Sequence, residues 1–236
     1  MRNRYDRQLS TLNEMLIRMG STCEDAISQV ALAMQGKKEN AFEGTDSDIT
    51  ARIIEKVHQT ESEIDQMEKD IESLCLKLLL QQQPVATDLR VISAALKMIS
   101  DLERIGDQCS DIADIVTFLS SDHVKNFSSS VNIQEMAAAT MKMVTMAVDS
   151  FVNRNQVLAE GVIKADDHVD ELFMGVKREI IDLIGKNPDS GEALLDLLMI
   201  AKYFERIGDH ATNVAEWVVF SITGVHTDGN TASRAH

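Results

Sequence analysis

Aromatic residues make up only 4% of this chain, prolines number two and cysteines three. Strand formers are scarce, and Met, Leu, Ile and Ala carry the apolar load, which favours helices. Cys23, Cys75 and Cys109 are odd in number and lack a C-x-x-C spacing. That excludes a disulfide framework or a zinc knuckle and points to buried thiols in a reducing compartment. No apolar run approaches the ~18 residues of a membrane span, and the N-terminus lacks a signal-peptide core. The expected location is the cytoplasm. Base is also short: 23 Lys and Arg stand against 38 Asp and Glu, for a net charge of −15. Nucleic-acid binding needs a basic footprint, so that class is excluded; cations and basic protein surfaces are the favoured partners.

What is present is helical periodicity. Leu9, Leu12, Leu16, Met19, Cys23, Ala26 and Val30 follow at alternating steps of three and four, a bundle seam. A second seam runs Ile64, Met67, Ile71, Leu74, Leu78. Between them Gly36 to Asp48 offers a loop with N-cap residues. Pro84 marks a turn before a third helix from about Asp88 to Leu119. "SSDHVKNFSSSVN" is the expected boundary between halves. Helical segments follow at about 131–158, 162–185 and 191–222, the last two separated by "GKNPDSG". The tail beyond about Val225 is expected to fray.

The phrase ERIGD occurs twice, at Glu103 and Glu205. A proline precedes each copy, Pro84 and Pro188, and an acidic i,i+4 pair precedes each proline: Glu61 with Asp65, and Asp166 with Asp170. The simplest organisation is all-α, two tandem three-helix bundles related by a pseudo-twofold axis: residues 1–124, then 125–224, then a tail at 225–236.

Residues four apart on a helix differ by about 40° around its axis. Glu103, Asp107, Asp111 and Asp114 therefore form a stripe, and Glu205, Asp209, Asn213 and Glu216 repeat it. Like charges at this spacing destabilise a helix by a few tenths of a kcal/mol per pair, and Gly106 or Gly208 adds about 1 kcal/mol. The stripes border the apolar face, so they need compensation. Two kinds are open. Arginines such as Arg104 and Arg206 could fork the acids, leaving a metal-free scaffold. Alternatively a metal ion could sit among the oxygens, with the second acidic pair of each half completing the cage and glycine admitting the neighbouring helix. A ferritin-like di-iron protein would use two Glu-x-x-His motifs; only Glu55–His58 is present.

"QQPVATDLR", "LKMISDLERIGDQCSDIADIV" and "FERIGDHATNVAEWVVFSITG" resemble the signature of the PhoU family over nearly the whole chain. The resemblance implies two three-helix bundles, frequent homodimers, and metal held by acid-x-x-x-acid motifs. The matching positions are Glu61 and Asp65, Glu103 and Asp107, Asp166 and Asp170, Glu205 and Asp209, with Asp111 and Asn213 continuing the stripes. Iron is the favoured ion, with manganese, zinc or magnesium as other choices. Asn213 stands where the first copy has Asp111, so a weaker or smaller second site is expected. The implied role is non-enzymatic: a negative regulator of phosphate uptake and of the phosphate-starvation response, acting on the sensor histidine kinase and on the ATP-binding subunit of the phosphate transporter.

Overall fold

The computed structural model describes residues 2–35, 46–82, 86–119 and 132–225. Six long helices account for nearly all of them: α1 Arg2–Gln35, α2 Asp46–Gln82, α3 Ala86–Phe118, α4 Ile133–Val152, α5 Gln156–Lys186 and α6 Gly191–Thr223. A 3-10 turn, Pro188–Ser190, joins α5 to α6. No strand occurs among the described residues. Pro84, most of the expected loop at 36–48, nearly all of the boundary segment and the tail after Val225 lie outside them.

The three helices of each half pack on one another, and the halves meet through α3 against α6 and α1 against α4. Helices α2, α3, α6 and α5 thus form one layer in that order, backed by α1 and α4. The first seam is buried as the periodicity predicts: Leu12, Leu16, Met19, Cys23, Ala26 and Val30 are inaccessible to water, as are Ile64, Ile71 and Leu78 of the second. Met136 and Met143 are buried, and Met141 and Met146 pack against that core. All three cysteines are buried free thiols. No described helix is long and apolar enough to cross a membrane.

One boundary differs from the expectation. The sequence reading ends one helix near 158 and starts the next near 162, whereas α4 stops at Val152 and α5 starts at Gln156. Asn153 caps α4, its N–H donating to the Asp149 carbonyl. Arg154 takes a left-handed φ of 50°, and the Asn155 side chain accepts from Leu158 N at 3.1 Å. Two asparagines around one strained residue make a tighter turn than a proline or glycine would announce.

At the other end of α6, Gly224 adopts φ 76° and its N–H donates to the Phe220 carbonyl at 2.8 Å. A side chain there would collide with the Arg90 guanidinium, which reaches over from the start of α3. The crossing of α1 and α4 is equally tight: a Cβ at Gly20 would lie 2.7 Å from Val148 Cγ2. Gly20→Leu is therefore expected to lower stability by about 1–3 kcal/mol, the cost of overpacking. A urea-unfolding midpoint equal to wild type would contradict this crossing.

Candidate metal centre

Each acidic pair on the inner-layer helices faces a partner helix across a glycine. A Cβ at Gly106 would sit 3.1 Å from Ile64 Cδ1, and Ile64 lies between Glu61 and Asp65. A Cβ at Gly208 would meet Asp166 Oδ1 at 3.2 Å and Val169 Cγ1 at 3.4 Å, and Val169 lies between Asp166 and Asp170. The glycines of ERIGD are thus where α2 nests on α3 and α5 on α6. Losing the side chain brings the carboxylates of neighbouring helices together.

In the first half, Glu61, Asp65 and Asp107 each offer an oxygen within 4.8 Å of the others. Burial raises the Glu61 carboxyl above the ordinary range, and Asp65 adds to it. Burial also raises Glu103, with Asp107, Glu68 and Asp65 pushing the same way and Arg104 pulling back. Arg104 Nη1 donates to Asp107 Oδ2 at 2.8 Å, and its Nε lies 3.5 Å from Glu103 Oε2. One exposed guanidinium therefore answers a group of four acids.

The second half carries the equivalent acids, although among the described residues only Glu61, Asp65 and Asp107 bring three such oxygens within 4.8 Å of one another. Burial pushes Asp166 up to about 7, helped by Asp209, Asp170 and Glu205. Asp170 is raised by burial and by Glu205. The more open Asp209 is raised by lost hydration and Glu205, while Lys202 opposes. Lys202 is ion-paired with Glu205 and stands 5.3 Å over the Phe173 ring. Here too one base faces four acids. An unmet concentration of half-buried negative oxygen is a donor set that suits a hard cation.

Two expected positions belong elsewhere. Asn213 does not extend the second cluster: its amide donates to Asp101 Oδ1 at 3.0 Å, across the α3–α6 seam. His210 Nδ1 lies 3.0 Å from the same oxygen. Burial, Asp107 and Asp114 raise the Asp111 carboxyl, while Arg206 and the Tyr203 hydroxyl of α6, across the same seam, pull it back. In repeat terms Asp101 corresponds to Tyr203 and Asp111 to Asn213, so these two contacts are one contact made twice with roles exchanged. An aspartate at 213 would face Asp101 with like charge; asparagine supplies a donor instead. The departure from the repeat is explained by the seam.

Periodicity could not reveal this seam, because it identifies faces and not which helix each face meets. It likewise could not reveal the partners of His58, whose Nδ1 lies 2.9 Å from Ser110 Oγ and whose Nε2 lies 3.3 Å from Asp114 Oδ1. Repetition of polar residues at 101/203 and 111/213 was the available signal.

Comparison with known proteins agrees with this architecture. The PhoU domain family matches the chain twice, over residues 16–116 and 133–218. A phosphate-specific transport system accessory protein PhoU homolog of Clostridium acetobutylicum is 33% identical, covering 96% of this chain and 97% of that protein. One from Pseudomonas aeruginosa is 29% identical, covering 93% and 86%. The crystal structure of PhoU from Pseudomonas aeruginosa superposes with a TM-score of 0.80 at 28% identity, over 94% of this chain and all of that one.

The raised carboxyl groups fix a pH dependence for the chelated protein. A group whose pKa is higher folded than unfolded binds more protons when folded, so its contribution is lost as pH rises. Asp166, folded near 7 against an ordinary 3.8, dominates that window. In chelator, the urea midpoint is expected to fall between about pH 4 and pH 7 and to level off above, and Asp166→Asn to flatten the fall. A midpoint that rises over the same range, or a slope untouched by Asp166→Asn, would refute the assignment.

Proposed function

The chain belongs to the PhoU family, and from that premise we propose that it is a cytoplasmic, metal-binding, non-enzymatic regulator of phosphate transport. It restrains uptake and the starvation response by docking on the sensor histidine kinase and on the transporter's ATP-binding subunit, and it does so as a homodimer. The names of its relatives, accessory proteins of phosphate-specific transport, support the transport role.

The observation that carries the metal reading is the Glu61–Asp65–Asp107 oxygen cluster beside the Gly106 contact; the second half repeats the acids around Gly208, without so close a set among the described residues. Glu61 and Asp65 from α2 with Glu103 and Asp107 from α3 would hold one ion or cluster. Asp166 and Asp170 from α5 with Glu205 and Asp209 from α6 would hold the other. Iron is favoured, and manganese, zinc or magnesium fit the same oxygens. A bound cation supplies the charge these carboxylates lack. The chain's own part is positional: Gly106 and Gly208 set the helix spacing, and Arg104 and Lys202 hold Asp107 and Glu205 in place.

The same two bases favour a second reading, a metal-free scaffold with salt-bridged acids. A di-iron enzyme is less well supported, since the single Glu-x-x-His places His58 on Ser110 and Asp114. Elemental analysis separates the first two. The Asp107→Ala/Asp209→Ala protein is expected to lose most of its bound metal while keeping wild-type helicity by circular dichroism. Full metal content in that variant, or none in wild type, would remove the metal reading.

A further inference from the structure

The layer α2–α3–α6–α5 presents one long face, largely charged. One end of it is not. Phe118 on α3 is 83% exposed, Leu195 and Met199 on α6 are 54% and 47%, and Ile181 and Met174 on α5 are 59% and 44%.

Helix register brings these side chains to the same place. Asp101 meets His210 and Asn213, while Asp111 meets Tyr203, so α3 and α6 run antiparallel. Continuing that register sets Phe118 level with Leu195. Val169 lies against Gly208 and Phe173 beneath Lys202, so α5 also runs antiparallel to α6. Its continuation sets Ile181 level with Leu195 on the other side.

The internal repeat supplies a comparison. The positions equivalent to Met174, Ile181, Leu195 and Met199 in the first half are Lys69, Leu76, Ser93 and Lys97. Phe118 corresponds to Phe220. The same helix packing is therefore compatible with polar residues at the places of Met174, Leu195 and Met199, and the fold alone does not require those three to be apolar. A contiguous exposed apolar group with a polar rim marks an interaction site.

Charge selects the occupant. The bases nearby on α3 and α6 are engaged: Arg104 by Asp107 and Glu103, Lys202 by Glu205, and Arg206 lies beside Asp111. The four bases of α5, Lys164, Lys177, Arg178 and Lys186, are outnumbered by the seven acids of that helix. Asp114 and Glu192 are exposed about one helical turn from Phe118 and Leu195. A second copy of the chain, itself at −15, would set these acids against their own kind. A helix with an apolar stripe and Lys or Arg flanks complements both the patch and its rim.

We propose that the Phe118–Leu195–Ile181 end of this face is the docking site for a basic amphipathic helix of a partner protein. The partner's regulatory identity rests on the function proposed above; the surface does not.

The test uses the full chain and its F118S/I181S/L195S variant. The probe is a fluorescein-labelled amphipathic peptide of Leu and Lys, with a Leu/Glu peptide of the same pattern as control. By anisotropy, wild type is expected to bind the Leu/Lys peptide, and the variant to bind it at least about tenfold more weakly. Circular dichroism, metal content and sedimentation should be unchanged, and the Leu/Glu peptide should not bind. Equal binding by the variant, or by the Leu/Glu peptide, overturns the proposal. So does a wild-type assembly that dissociates on substitution, which would make a second copy the occupant. In cells, a deletion strain that still represses starvation genes in ample phosphate removes the regulatory reading. A deletion strain that loses repression, fully restored by the triple variant, overturns the patch alone.

Discussion

Everything else in this molecule accommodates one unfavourable arrangement: carboxylates of like charge held at the shoulder of two tightly packed helices. Spreading them apart would relieve the repulsion, but the helices cannot separate without opening the core that Ile64 and Val169 enter. Glycine at 106 and 208 removes the side chain that would have kept the helices apart. The same two residues therefore determine both the packing and the crowding of charge. A single base per group, Arg104 or Lys202, leaves most of that charge unanswered. Protonation relieves it at low pH; a cation bound at neutral pH would do the same, and the two would then compete for the same oxygens.

Much of this could be read from the residues. Steps of three and four gave the helices and their buried faces, and repetition of ERIGD gave the likeness of the halves. The acid pairs could be placed on helix faces because the α-helix has fixed geometry. Two things could not be read. The turn at Asn153–Asn155 interrupts a stretch whose apolar spacing runs on from Phe151 and Val152 to Val157 and Leu158, and an arginine in the left-handed region carries no signal in residue type. The partner of Asn213 sits on a helix of the other half, and local periodicity holds no information about so distant a neighbour. Its amide nitrogen donates to Asp101, a contact that the repeat alone does not announce.

That seam also separates two kinds of asymmetry between the halves. Asn213 differs from Asp111 because the fold demands it, the alternative being two carboxylates in contact. Leu195 and Met199 differ from Ser93 and Lys97 where the fold makes no such demand. Differences of the first kind preserve the architecture, and those of the second kind are free to serve a partner.

The crossed contacts at the seam have one more effect. Asp101 against Asn213 and Asp111 against Tyr203 are complementary only between unlike halves. A first half laid on a copy of itself would bring Asp101 onto Asp111, acid on acid. A second half laid on a copy of itself would match Tyr203 with Asn213 and lose both carboxylates. The two modules are alike in shape yet no longer interchangeable, so exchange of halves between chains keeps its correct pairing only when each first half finds a second.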